Sequence, residues 1–534
     1  MRCVGGIMSL EKNQEFELII EDMGNEGEGN GHIDGMAVFV KDAIPGDVVR
    51  IKIIKAKRNY AYGRLIKLIS SSEYRVEPIC PHARKCGGCA IMHVSYDKQL
   101  AWKQDKVKNC LQRIGGLDDV KEKMEPIIGM EYDEKFPAIR YRNKAQFPVR
   151  RDKEGKLAIG FYAGRTHSVV DTDVCYLQNE ENDEIISRFR NFIEKYTVEV
   201  YDEGRHTGLM RHILTRVGRK TGEVMICLII NGDELVGKCE NGLEGKGGSG
   251  SKGIQENDKQ NRNLMNVEQE FVKQMMDISG ITSISINVNK EKTNRILGDS
   301  CRTIWGKDYI TDYIGNVKYQ ISPLSFYQVN PEQTEKLYEK ALEYADLHGD
   351  ETVWDLYCGI GTISLFLAQK AKQVYGVEIV SAAIEDARRN AEINGIRNVK
   401  FFVGKAEEVL PEQYKKTGEH ADVIVVDPPR KGCDVVTIDT MIKIAPKRIV
   451  YVSCDPATLA RDIKKLVAAG YKVEKICAVD QFGHSGHVET VCVLGNKNRK
   501  PDDYLKVNID VDKIHDILDK EKAEKEAKEK SQSE

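Results

Sequence analysis

Residues 449–462 read Ile-Val-Tyr-Val-Ser-Cys-Asp-Pro-Ala-Thr-Leu-Ala-Arg-Asp and set a thiol nucleophile between two different local patterns. The run 449–452 is β-branched and aromatic, the pattern of a buried strand. Asp455 suits a helix N-cap and Pro456 the first helical turn. Cys454 is therefore expected at the carboxyl end of a strand and against a helix N-terminus. In an open α/β sheet ligands bind at that edge. Partial positive charge there lowers a thiol's pKa and raises its thiolate fraction. The competing reading of Cys454 is a structural cysteine, because free cysteine is among the most buried residue types.

A second chemical signal is Asp355-Leu-Tyr-Cys-Gly-Ile-Gly361-Thr362. Gly-x-Gly after a strand lets backbone approach a ligand closely as a helix begins. Glu378 ends the next strand about 20 residues on, where a carboxylate accepts hydrogen bonds from ribose hydroxyls. Ser364 stands where a dinucleotide fingerprint has its third glycine. A phosphate cradle is thus disfavoured and a nucleoside without pyrophosphate fits better; S-adenosylmethionine is such a ligand. Asp427-Pro-Pro-Arg430 ends a further strand and strengthens this reading against a simple strand-end cap. Elsewhere Cys80, Cys86 and Cys89 fall within ten residues, a metal-ligand spacing that suits zinc or an iron–sulfur cluster equally.

The elements that must position these groups fall into blocks. Strand-like runs at 16–20, 36–40, 48–54 and 63–69, separated by turn signals at 24–31 and 44–47, predict a small β-barrel. No acidic residue lies between Asp47 and Glu73, whereas Arg50, Lys52, Lys55, Lys57, Arg58, Arg64 and Lys67 are interleaved there with Tyr60 and Tyr62. Such a face reads as an RNA platform, the alternative being a merely solvated charged surface. A basic helical stretch runs through Arg113, and residues 140–167 carry eight Lys/Arg against two Asp/Glu. The Gly-, Ser-, Asn- and Lys-rich segment near 237–266 reads as a flexible surface insertion. From 351 onward, strands at 352–357, 373–378, 399–403, 422–427, 448–453 and 488–494 alternate with helical patterns and predict a parallel doubly wound sheet. The Lys/Glu-rich tail is a solvated helix or disordered and is assigned no function.

Composition bounds the rest. A chain of 534 residues suits roughly three or four domains. With 41% hydrophobic and 31% charged residues it reads as an ordinary globular protein, and a net charge of −3 means that any nucleic acid must be met by local patches. No apolar run approaches the ~20 residues that span a bilayer, and no signal-peptide pattern opens the chain, so a cytoplasmic location is expected. The fourteen cysteines are then expected as thiols, metal ligands or catalytic groups rather than disulfides. Met8 is a candidate start, since residues 1–7 add little recognisable structure.

Taken together, Phe326-Tyr-Gln-Val-Asn330, the 355–362 loop, Asp427-Pro-Pro-Arg-Lys-Gly432, Ser453-Cys-Asp-Pro456 and His487-Val-Glu489 resemble the RNA (uracil-C5) methyltransferases. The likeness is to the 23S ribosomal-RNA type, with a TRAM barrel and an iron–sulfur cluster, and it covers about 15–495. It implies a TRAM/OB-like β-barrel over 10–72, a central α+β domain over 73–330 carrying the cysteine cluster, and a Rossmann-like class I methyltransferase domain over 331–496. The charged tail is 497–534. It implies a SAM site built by Gln328, Tyr357, Glu378 and Asp427, Cys454 as nucleophile, and Glu489 as base. It adds Cys175 to Cys80, Cys86 and Cys89 as ligands of a 4Fe–4S cluster. Phe482-Gly-His-Ser485 departs from the family's Phe-Pro-His-Thr, a loop change that leaves Glu489 in place.

The implied reaction is C5 methylation of a ribosomal-RNA uridine by a monomer with no membrane partner, unpaired RNA being gripped by the barrel, the cysteine segment and the 140–167 region. Arg211 and His212 are candidates for the same surface. Three rivals stand beside this reading: the same reaction on the T-loop uridine of transfer RNA, a non-catalytic iron–sulfur RNA-binding protein, and exocyclic-amine methylation through Asp427-Pro-Pro-Arg430. The remaining cysteines (Cys3, Cys110, Cys227, Cys239, Cys301, Cys358, Cys433, Cys477 and Cys492) read as packing residues.

Overall fold

Period-two alternation in the N-terminal segment buries one side of each short strand around Leu18, Val38, Val40, Val49, Ile51, Ile53 and Ala61. The strands are β1 (Glu15–Ile19), β2 (Asp22–Met23), β3 (Gly29–Ile33), β4 (Met36–Lys41), β5 (Val48–Ala56) and β6 (Tyr60–Ser70), in the order β1-β5-β6-β4-β3-β2. β1 runs on toward β2, where Glu21 N donates to Asn30 O at 2.8 Å, so the two ends of the sheet meet. The stretch 24–31, expected as a turn, in fact contains the start of β3. A Cβ on Gly31 would lie 2.3 Å from Ile19 O, so only glycine fits, and its lack of β-propensity hid the strand. This is a computed structural model describing residues 10–131, 138–238, 264–418 and 420–497.

After the cysteine segment come α1 (Tyr96–Arg113) and the short α2 (Val120–Lys123). Their apolar residues Val107, Leu111 and Val120 pack into the core of the C-terminal sheet. A second sheet follows from β7 (Lys144–Arg151), β8 (Leu157–Tyr162), β9 (Val169–Asp171), α3 (Glu181–Lys195), β10 (Met210–Val217), β11 (Val224–Ile230), β12 (Val236–Lys238), β13 (Leu264–Asn266), α4 (Glu268–Met275), β14 (Ile281–Val288) and β15 (Ser300–Gly306). Its order is β15-β14-β11-β10-β7-β8-β9, with α3 and α4 burying Phe189, Phe192 and Phe271 against one face. β12 and β13 pair as the two ends of the expected insertion; residues 239–263 between them lie outside the described residues. So do the tail from 498 and residues 1–9.

The hairpin β16 (Ile310–Ile314) and β17 (Val317–Ile321) and helix α5 (Pro331–Ala345) lead into the C-terminal sheet. There β18 (Thr352–Leu356), α6 (Thr362–Leu367), β19 (Gln373–Glu378), α7 (Ser381–Ile393), β20 (Val399–Val403), α8 (Ala406–Thr417), β21 (Val423–Val426), α9 (Val435–Ile444), β22 (Arg448–Ser453) and α10 (Pro456–Ala468) alternate as expected. Two strands close the sheet, β23 (Tyr471–Val479) and β24 (Glu489–Asn496), giving the order β20-β19-β18-β21-β22-β24-β23. The sheet is therefore not parallel throughout: β24 runs antiparallel to both β22 and β23. β23 escaped notice because a register shift between Val473 and Lys475 breaks its alternation at Lys472, Glu474 and Lys475. Buried apolar residues line both faces of this sheet.

Candidate active site

The carboxyl ends of β18, β19, β21 and β22 gather the predicted residues, and β24 enters from the opposite direction. Ser453 pairs with Thr490, which sets Cys454, one residue on, beside Glu489. Asp455 caps α10 by accepting from Ala457 N at 2.9 Å and Thr458 N at 3.0 Å. Thr458 Oγ1 donates to Arg430 O at 3.2 Å and so ties the Asp427-Pro-Pro-Arg430 loop to the same helix. The expected lowering of the Cys454 pKa is not found. Burial, then the Glu489 and Asp427 carboxyls, push the thiol up to about 12, with Arg430 opposing them. The helix amides that favour an anion are already taken by Asp455, which outweighs the dipole argument.

Glu489 is 3% exposed, its Oε2 has no hydrogen-bond partner, and burial beside Asp427 raises its pKa well above the usual carboxylate range. Asp427 is half-buried, and desolvation pushes it up to about 7. Asp355, missed as a site residue, is likewise pushed up to about 7 by burial, while a 2.5 Å hydrogen bond from Ser364 Oγ works against this. The serine that replaces the third glycine thus holds a carboxyl in place. Tyr338 of α5, also missed, is buried within reach of Asp427, Asp355 and Glu489 and shares a 2.9 Å hydrogen bond with Thr362 Oγ1. Three partly neutralised carboxyls around one cleft suit a cationic ligand. No local sequence signal marks Tyr338.

The glycine loop turns sharply at Tyr357 (φ 71°), Gly359 (φ 54°) and Gly361 (φ 81°). Its shape is held by Tyr357 N and Cys358 N donating to Val377 O at 3.0 and 3.1 Å. Glu378 accepts from Gly359 N at 3.3 Å and Val380 N at 3.1 Å, which aims it across the loop mouth. The Tyr357 hydroxyl donates to Thr437 Oγ1 at 3.3 Å. Gln328 is buried, its main-chain carbonyl accepting from Asn143 Nδ2 at 2.9 Å. Between buried Ser325 and Tyr327, Phe326 is 69% exposed. The loop 480–487 leading to Glu489 rests on α1: Lys103 Nζ pairs with Asp480 Oδ1 at 2.5 Å and donates to Phe482 O at 2.9 Å, and His484 N donates to Gln99 Oε1 at 3.0 Å.

Cys80, Cys86, Cys89 and Cys175 line one cavity of about 390 Å³ together with Met92, Phe161, Leu177, Arg142 and Lys144. Gly88 N donates to Cys86 Sγ at 3.4 Å. Among the described residues no group of three or more His, Cys, Asp or Glu side chains closes around a single metal ion. Four thiols around one cavity, with Arg142 and Lys144 in its wall and an amide aimed at one sulfur, are a donor set of the kind that holds zinc or an iron–sulfur cluster.

On the barrel, Phe39, Tyr60 and Tyr62 form an aromatic trio with centroids 5.6–6.0 Å apart. Two of the seven basic residues between Asp47 and Glu73 are spent on cross-strand ion pairs, Arg50 with Glu17 at 2.8 Å and Lys52 with Glu15 at 3.1 Å. Arg211 and His212 do not join that surface. Both are buried, Arg211 donating to Asn289 O and Glu291 O at 2.8 Å, and burial drives the His212 pKa down to about 3.

Residues 296–497 match the model of the tRNA (Uracil-5-)-methyltransferase family, and residues 10–66 match the TRAM domain. An "Uncharacterized RNA methyltransferase" of Clostridium tetani is 48% identical over 91% of this chain and 97% of its own. One of Bacillus cereus is 46% identical over 91% of this chain and 97% of its own. Among solved structures, the Pyrococcus abyssi tRNA (uracil-54, C5)-methyltransferase in complex with S-adenosyl-L-homocysteine is 27% identical, with a TM-score of 0.67, covering 90% of this chain and 100% of that one. The chain belongs to the S-adenosylmethionine-dependent RNA uracil-5 methyltransferases and carries an N-terminal TRAM domain.

Proposed function

We propose that this enzyme methylates C5 of a uridine in 23S ribosomal RNA, with Cys454 as nucleophile and Glu489 as base. The observation that carries the roles is the antiparallel register that brings Cys454 beside a buried carboxyl whose Oε2 has no hydrogen-bond partner. Uracil C5 is too weak a nucleophile to take a methyl group unaided. Cys454 adds through sulfur to C6, and the displaced electron pair makes C5 enolate-like. S-adenosylmethionine supplies the electrophilic methyl group that C5 takes, leaving S-adenosylhomocysteine. Glu489 then removes the C5 proton, the C5–C6 double bond re-forms, and the Cys454 sulfur departs with the electrons of its bond to carbon. General-base help of this kind contributes roughly 10²–10⁴-fold.

Gln328, Tyr357, Glu378 and Asp427 would hold the methyl donor, Glu378 on the ribose hydroxyls and Asp427 near its positive charge. A cationic donor favours the ionised carboxyls, so its arrival prepares Glu489 to accept a proton. Cys80, Cys86, Cys89 and Cys175 would hold a 4Fe–4S cluster that cross-links the segment after the barrel to the central sheet. The barrel, the cysteine segment and the 140–167 region would bind unpaired RNA around a flipped-out base. No helix among the described residues is long and apolar enough to cross a membrane, and we assign the enzyme to the cytoplasm as a monomer.

Ribosomal RNA is favoured by the barrel and the four cysteines, features of the ribosomal-RNA type that this chain resembles. Transfer RNA is the second reading, favoured by the Pyrococcus abyssi enzyme, whose whole length aligns with nine-tenths of this chain. Covalent trapping separates them. RNA carrying 5-fluorouracil cannot lose fluorine from C5 as a proton, so wild-type protein with S-adenosylmethionine should form a stable adduct that Cys454→Ala abolishes. Sequencing the trapped RNA names the substrate. No adduct from methyl-donor-competent protein would sink the mechanism, and methylation surviving Cys454→Ala would favour amine chemistry at Asp427-Pro-Pro-Arg430.

A further inference from the structure

Helix α1 presents Gln99, Lys103 and Lys106 at i, i+4 and i+7, one face, to the loop 480–487. Gln99 and Lys103 fix its middle, as described above. Lys106 does something different: its ammonium donates to Gly486 O at 2.8 Å and to Asn25 O at 2.9 Å. Asn25 belongs to the β2–β3 turn of the barrel, and Gly486 lies three residues before Glu489. The two backbones touch here, because a Cβ on Gly486 would come 3.4 Å from Asn25 O and 3.4 Å from the Trp102 ring. Trp102 in turn packs with Met23, Ile44, Ile91 and Val94, joining barrel and helix through apolar contact. Lys106 makes no ion pair among the described residues, and the carboxyls of Asp455, next to Cys454, and of Glu26 and Glu28 on the barrel turn favour its charge. One ammonium therefore bridges the RNA-binding module and the segment that carries the base.

We infer that Lys106 is a positioning residue that couples occupancy of the barrel by RNA to the alignment of loop 480–487, and through it of Glu489. A lysine that served only as packing would have no need of two carbonyls on separate modules. The inference rests on the proposed role of Glu489, but its structural half does not. When RNA restrains the barrel turn, the bridge transmits that restraint to Gly486, and the base settles against Cys454 and the target carbon. Alignment errors of about 1 Å at a reacting centre cost on the order of 10²-fold in rate.

The test uses full-length protein, cluster-replete, with 5-fluorouracil-substituted RNA and S-adenosylmethionine in single turnover. Lys106→Met removes both donors and should slow adduct formation and methylation of ordinary RNA by about 10- to 100-fold while RNA and S-adenosylmethionine affinities change less than about threefold. Lys106→Arg, which can still reach two carbonyls, should restore most of the rate. Hydrogen exchange of 480–487 should slow on RNA binding in wild type and Lys106→Arg and stay fast in Lys106→Met. If Lys106→Met proves unstable, Lys106→Gln, too short to bridge, carries the same expectations. Loss of affinity and rate in parallel, or RNA protection of the loop without Lys106, overturns the coupling. Protection that depends on Lys106 in a protein that forms no adduct would instead leave the coupling standing and remove the uracil-C5 mechanism.

Discussion

At neutral pH the Cys454 thiol keeps its proton, because burial and two carboxyls push it up to about 12. Only the thiolate adds to C6, so the rate of adduct formation should climb about tenfold per pH unit between pH 6 and 9. A plateau reached below pH 7 in single-turnover trapping would contradict this. A second titration belongs to Asp355, whose folded pKa of about 7 exceeds its usual value of 3.8. Folding then binds a proton, so this stability is full below pH 3.8 and is lost as pH rises through about 7. Ligand-free protein should melt lower at pH 8 than at pH 5, and Asp355→Asn should shrink that difference, Asp427 and Glu489 keeping the rest; parallel slopes would refute the assignment. The place of Cys454, the proposed nucleophile, was legible, since a strand, a cap and a proline flank it. Its pKa was not, because the groups that set it, Glu489 and Asp427, arrive from other strands and no local pattern reports them.

Among the elements, α1 shows how a helix can be read correctly and its purpose missed. Its basic, helical pattern was plain, but nothing in it named a partner for its lysines. In the fold Lys103 is fully buried against Asp480, 377 residues away in sequence, with Tyr96 OH donating to the other carboxylate oxygen at 2.8 Å. No window of local sequence contains such a partner. Breaking a buried pair from one side leaves an uncompensated charge, so Lys103→Met should cost about 3–5 kcal/mol in denaturant unfolding. Adding Asp480→Asn should recover part of that loss, since the orphaned charge is gone. A double variant no better than the single one would mean that packing, not charge, fixes the loop. The same limit explains β23 and β3: a register shift and a pair of tight glycines erased the period that the sheet itself displays.

For the whole molecule, the cysteine cavity decides how the barrel side of the chain is fastened to the central sheet. Cys80, Cys86 and Cys89 come from the segment between β6 and α1, and Cys175 from the turn between β9 and α3. Three of them were legible from spacing; the fourth came only from the family likeness, because nothing in the surrounding sequence of Cys175 marks it. The fold brings all four to one cavity walled by Arg142 and Lys144. A cluster held there with four thiolates would carry net negative charge, which Arg142 offsets and which would favour the charged form of Lys144, a lysine that burial and the neighbouring Arg216 and Arg142 push down to about 7. Protein purified without oxygen should therefore carry iron and acid-labile sulfide in equal amounts. Cys175→Ser should lose both and should speed hydrogen exchange across 80–93, where the cross-link is gone, while the methyltransferase sheet keeps its protection. Zinc in place of iron, with exchange unchanged in the variant, would assign the cavity to a single structural ion and remove the cluster from this enzyme.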